Sequence, residues 1–138
     1  MHMNERKLLI ADDSELNRAI LINALEKDFD IIEASNGREA ISAIRAHGGD
    51  LAAILLDVVM PEKDGFEVLS EMKRSGCIDE IPVIMISAET GGSYIDRAFR
   101  LGASDYISRP FVPAIIRRRI LNAVLLHEKK DQILTVVS

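Results

Sequence analysis

Residues 53–61 read Ala53-Ile54-Leu55-Leu56-Asp57-Val58-Val59-Met60-Pro61: an unbroken aliphatic run, one aspartate, then an apolar stretch closed by proline. A run without polar alternation is the pattern of a strand buried on both faces, as in a parallel sheet covered by helices. Asp57 ends that run, and the reading of the chain turns on why a carboxylate stands there.

Outward from this segment, Leu8-Leu9-Ile10-Ala11 and Val83-Ile84-Met85-Ile86 are also continuous, whereas Ile31-Ile32 and Tyr106-Ile107 are shorter and more mixed, as suits edge strands. Helical spacing lies between them. Leu16, Ile20 and Ala24 follow the capping types Asp13 and Ser14, and Ala40, Ile41 and Ile44 follow Asn36-Gly37. Phe66, Leu69 and Met72 form a third stripe, Ile95, Ala98 and Phe99 a fourth. Pro113 precedes a fifth, Ile116, Ile120, Ala123 and Val124, at a position where a first-turn proline is tolerated. Five strands alternating with five helices predict an α/β fold: a doubly wound, five-stranded parallel sheet with right-handed crossovers.

The 138 residues suffice for one domain with one core. A net charge of -5 argues against nucleic acid as the main partner, and Arg117-Arg118-Arg119 reads as a solvated helix face. The single cysteine, Cys77, can form no internal disulfide and reads as a small, partly buried loop residue. A reducing, cytoplasmic setting is the expectation. No apolar run approaches the roughly 18 residues that span a bilayer, and acidic residues cut short the apolar stretch after Arg6 and Lys7, unlike a signal peptide. Residues 1–6 are expected to be an N-terminal extension and 7–126 the domain. Residues 127–138 would continue the fifth helix, as a pairing helix or a linker toward an output domain.

In an open parallel sheet, functional groups gather at the carboxyl ends of the strands. Asp12 and Asp13 follow the first strand, Asp57 ends the third, Ser87 the fourth, and Arg109-Pro110-Phe111 follows the fifth. Three carboxylates at close range raise one another's pKa. A hard divalent cation relieves that repulsion, and magnesium binds through one or two carboxylates plus waters and phosphate oxygens. A carboxylate so placed can act as a nucleophile toward phosphorus, while a hydroxyl and a fixed cation hold the phosphoryl oxygens. Asp57, on the most buried-looking strand between the other two contributors, is the best candidate.

Taken together, Leu9-Ile10-Ala11-Asp12-Asp13, Leu55-Leu56-Asp57-Val58-Val59-Met60-Pro61 with Asp64-Gly65, Ile86-Ser87-Ala88, and Gly102 through Phe111 closely resemble the receiver domains of bacterial two-component response regulators. The resemblance runs from about Lys7 to about Leu126, and all four motifs occur in order at receiver spacing. It implies a flavodoxin-like, CheY-like three-layer sandwich. It also implies a signalling phosphoacceptor that promotes its own phosphorylation and dephosphorylation rather than an enzyme in the ordinary sense. Asp57 would take the phosphoryl group from a sensor histidine kinase or phosphotransfer protein. Asp13 would ligate Mg2+ directly, Asp12 partly through water, and Val59 through its backbone carbonyl. Ser87 would be the switch hydroxyl and Tyr106 the switch aromatic, with a cis bond before Pro110. Pro61 and Gly65 belong to a structural turn. An output domain or downstream protein would read the switch, and pairing of two copies through the fourth and fifth helices is the family's usual arrangement.

One departure stands out: Arg109 occupies the position where the family has lysine, a planar fork in place of a compact point charge. Arg109 could contact the phosphoryl group, or pair with Asp57 and hold the site shut. The competing function is therefore a phosphorylation-independent interaction module on the same fold. A flavin-binding or hydrolytic enzyme is disfavoured, since no glycine-rich loop follows the first strand and no nucleophile elbow appears.

Overall fold

Each of the five aliphatic runs becomes a strand and each helical stripe a helix. The computed structural model describes residues 6–137, with side chains described through residue 130. In chain order the elements are β1 (Lys7–Ala11), α1 (Glu15–Leu25), β2 (Asp30–Ala34), α2 (Gly37–His47), β3 (Leu51–Asp57), α3 (Gly65–Ser75), β4 (Val83–Ser87), α4 (Gly92–Arg100), β5 (Asp105–Ser108) and α5 (Pro113–Val137). All strand pairings are parallel, in the order β2-β1-β3-β4-β5, so β2 and β5 are the edges as expected. The order reverses between β1 and β3, where such sheets open a crevice at their carboxyl ends. In register, Ala11 lies beside Leu56, and Asp57 beside Ile86.

The sheet separates two apolar layers. Leu9, Ile54, Leu56, Val83 and Met85 face α2, α3 and α4, whereas Leu8, Ile10, Leu55, Ile84 and Ile86 face α1 and α5. Alternate residues of one strand therefore serve opposite layers, which is why the central strands need apolar residues at every position. Ser14 caps α1 by accepting the Asn17 N–H, and Asn36 caps α2 by accepting that of Glu39. Asp64 and Glu67 form a capping box that starts α3.

Two expected stripes are displaced. On α1, Leu21 and Leu25 are fully buried, while Leu16 is 70% and Ile20 38% exposed. This helix carries two overlapping four-residue ladders about 100° apart, and spacing alone could not choose between them. On α4, Ala98 faces the sheet, and Phe99, one position around, is 47% exposed. Phe111 is half-buried at the rim of the α1–α5 layer.

The N-terminal extension expected over residues 1–6 lies, apart from Arg6, outside the described residues. The fifth helix continues unbroken from Pro113 to Val137, and the side chains expected to extend its stripe at Gln132, Ile133 and Val136 lie outside those described. Among the described residues, no helix is long and apolar enough to cross a membrane.

The displaced ladder on α1 has a simple check. Leu21→Ala should cost about 3 kcal/mol in urea unfolding, and Leu16→Ala less than about 0.5 kcal/mol. Similar losses at both positions would return Leu16 to the core.

Candidate functional site

The carboxyl edge of the sheet delivers the candidate residues from separate segments. Asp12 follows β1 directly and is only 2% exposed. Its backbone N–H reaches the Ala34 carbonyl of β2 at 3.0 Å, and its Oδ1 accepts the Ser14 N–H at 2.9 Å. Asp57 is the last residue of β3 and is 7% exposed, with Oδ1 a distant 3.4 Å from the Val59 N–H. Asp13 stands beside them, exposed. One carboxylate oxygen from each of Asp12, Asp13 and Asp57 falls within 4.8 Å of the others.

Such a cluster repels itself. Burial pushes the Asp57 carboxyl up to about 6, with the Asp12 charge adding to the rise and Arg109 and the Val59 N–H opposing it. Arg109 supplies the countercharge: its Nη2 lies 2.6 Å from Asp12 Oδ2 and 3.3 Å from Asp57 Oδ2. The Arg109–Pro110 peptide bond is cis, as expected.

The other two strands contribute hydroxyls. Ser87 ends β4 fully buried, and its Oγ accepts the Glu89 N–H at 3.0 Å. Tyr106 of β5 is buried at 7% exposure and donates its hydroxyl to the Glu89 carbonyl at 2.8 Å. Burial pushes the Tyr106 phenol up, with the Ser87 hydroxyl acting against the rise. Both hydroxyls therefore bind the same backbone residue.

Gly65 is required by its surroundings. Its N–H donates to the Val58 carbonyl at 2.8 Å, and a Cβ there would fall 2.4 Å from the Asp57 carbonyl oxygen. Pro61 and Val59 sit at the surface of the β3–α3 loop, where the Val59 side chain is 63% exposed. Sequence reasoning missed Arg18, which donates from Nη1 to the Asp12 carbonyl at 2.6 Å and from Nε to Glu33 at 2.9 Å. No motif marks it, because its target is a backbone oxygen. The backbone of Glu89 ties Ser87 to Tyr106 and is equally unmarked by any motif.

The model of the response regulator receiver domain family matches residues 8–121. The chain belongs to this family. Chemotaxis protein CheY1 of Helicobacter pylori is 33% identical over 116 residues, 83% of this chain and 93% of that protein. A probable cyclic di-GMP phosphodiesterase of Vibrio cholerae is 30% identical over 132 residues, 96% of this chain but 30% of that protein. Among solved structures, a complex of CheX and CheY with BeF3 and magnesium from Borrelia burgdorferi aligns with a TM-score of 0.79 and 28% identity. That alignment covers 85% of this chain and 87% of the other. The receiver fold and the CheY-like, two-component signalling class of this domain follow from these matches.

The burial of Asp57, with the repulsion from Asp12 added to it, carries a pH signature. A folded carboxyl near 6 holds its proton more tightly than the unfolded chain does, so stability is retained below about pH 4 and lost as pH rises through 6. The loss is at most about 2 kcal/mol after allowing for residual solvent. In EDTA at about pH 7.5, Asp57→Asn should raise the melting temperature by roughly 5 °C. That gain should disappear near pH 4, and its absence at the higher pH would contradict the cost of a buried, repelled Asp57 charge.

Proposed function

We propose that Asp57 accepts a phosphoryl group from a phosphohistidine on a sensor kinase or phosphotransfer protein, and that the resulting change in charge controls an output domain or downstream protein. The observation that carries this reading is the convergence at one buried carboxylate of two further carboxylates and a guanidinium, with a buried hydroxyl at the end of the neighbouring strand. The donor set is all oxygen, self-repelling and open on the Asp13 side, which fits Mg2+ held by Asp12, Asp13, Asp57 and the Val59 carbonyl. When bound, Mg2+ would neutralise the phosphoryl oxygens and the carboxylate cluster.

The residues of the chain do the rest. An ionised Asp57 oxygen forms the new P–O bond as the P–N bond of phosphohistidine breaks, and the electron pair returns to the imidazole nitrogen, which then takes a proton from solvent. With a carboxyl near 6, Asp57 is largely ionised at neutral pH. Ser87 can donate its hydroxyl to a phosphoryl oxygen without giving up the Glu89 N–H. If it shifts to do so it draws on Glu89, and Glu89 holds Tyr106. Attack of water at phosphorus then releases inorganic phosphate and restores the carboxylate.

The phosphodonor needs a surface beside Asp57. Leu16 and Ile20 on α1, and Val112 and Ile115 at the start of α5, are exposed apolar side chains on two helices that pack together. Arg117 of α5 pairs with Asp28, in the loop after α1, through two bonds at 2.7 and 3.0 Å. This face is the proposed seat of the kinase or phosphotransfer protein.

A phosphorylation-independent module remains the second reading, because Arg109 already pairs with both Asp12 and Asp57. Intact-protein mass spectrometry separates the two. With Mg2+ and a small phosphodonor, the chain should gain one phosphoryl group, and the Asp57→Asn variant none. A wild-type chain unlabelled by either a small donor or a kinase would favour the independent module. Leu16→Glu should slow labelling by the kinase several-fold while leaving small-donor labelling unchanged. Equal slowing with both donors would place the docking face elsewhere.

A further inference from the structure

We infer that Arg109 is an internal counter-cation that keeps a divalent metal off the acidic cluster until its guanidinium leaves Asp12, so that metal binding and the position of Arg109 form a single equilibrium. The inference rests on the reading of Asp57 as a metal-assisted phosphoacceptor and names what regulates that site.

The geometry is specific. One nitrogen, Nη2, serves two carboxylates, at 2.6 Å to Asp12 and 3.3 Å to Asp57. The other Asp12 oxygen is held by the Ser14 N–H, so both oxygens of Asp12 are engaged. A cation approaching the cluster meets a positive charge already seated between two of its three carboxylates. The position of Arg109 is also braced. The Arg109 N–H donates to the Ser87 carbonyl at 2.8 Å, and the guanidinium carbon lies 5.6 Å from the centre of the Phe111 ring.

A second observation shows that this seat is incomplete. Arg109 Nε is buried and has no hydrogen-bond partner. A buried donor left unmet is a standing cost that a different placement removes. An incoming phosphoryl oxygen is an acceptor of the right charge. Displacement from Asp12 thus frees a carboxylate for the cation and frees a charged donor for the phosphoryl group. A lysine would offer a single compact charge without this fork, so Arg109→Lys isolates what the fork contributes.

Isothermal titration calorimetry of Mg2+ on the full chain tests this, using the wild type, Arg109→Ala and Arg109→Lys. The dissociation constant should tighten about tenfold in Arg109→Ala, with Arg109→Lys between the two. A nitrogen-edited NMR spectrum gives a readout independent of affinity. The Arg109 Nε–H resonance, identified by its absence from the Arg109→Lys spectrum, should shift as Mg2+ saturates the wild type. Equal constants in all three proteins, or a resonance unmoved at saturation, would overturn the inference. Phosphoryl labelling of the same proteins keeps the two readings apart. A labelled wild type with unchanged constants in the variants removes the counter-cation and keeps the acceptor. An unlabelled wild type with tightened constants in the variants does the reverse.

Discussion

Three carboxylates held within 4.8 Å of one another at the edge of a hydrophobic sheet repel, and the rest of the site is organised around that repulsion. Two of the three are fixed in place. Asp57 is the terminal residue of a strand buried on both faces, and Asp12 is pinned through its N–H to β2, its carbonyl to Arg18 and its Oδ1 to Ser14. The strain is therefore met with charge rather than with distance. Arg109 supplies that charge from the protein itself, and Asp13 stands on the exposed side of the cluster.

Rigidity of this kind depends on packing well away from the carboxylates. The alternation along β3 sends Ile54 and Leu56 to one layer and Ala53 and Leu55 to the other, so the strand cannot slide or rotate without opening both cores. The β3–α3 loop is locked in turn by Gly65, whose missing side chain lets α3 begin directly against the Asp57 carbonyl. The same device recurs at Gly37, where a Cβ would fall 2.0 Å from the Lys63 carbonyl oxygen and where α2 meets this loop. Two glycines thus hold the loop carrying Val59 and Pro61 close to the strand that ends in Asp57.

The sequence disclosed these features unequally, for physical reasons. Buried strands announce themselves because both faces must be apolar, so the five runs and the edge positions of β2 and β5 were legible. The strand-end residues followed from topology, and Asp12, Asp13, Asp57, Ser87 and Arg109 do meet at one edge. Which ladder of α1 turns inward was not legible, because Leu16-Ile20 and Leu21-Leu25 satisfy the same spacing. Arg18 was invisible because it binds a backbone carbonyl that every residue possesses. The partner of Arg109 was half legible. Its contact with Asp57 was foreseen, but the shorter contact is with Asp12, and only the placement of the β5–α5 loop decides between them.

That shorter contact gives the site a continuous hydrogen-bonded connection. Arg109 touches Asp12 through its side chain and the Ser87 carbonyl through its backbone N–H. Ser87 Oγ takes the Glu89 N–H, and the Glu89 carbonyl takes the Tyr106 hydroxyl. Spatial continuity alone does not make a signal path, since coupling requires an element with two arrangements that both ends can bias. In the proposed reading that element is Arg109. Its present seat satisfies two carboxylates and leaves Nε unmet, and an alternative seat would satisfy Nε and release Asp12. Its backbone N–H is bonded to the Ser87 carbonyl in the present seat, so exchange between the two seats would act beside the Ser87 hydroxyl. The charge that balances the carboxylate repulsion and the residue that moves when that balance changes are then the same side chain.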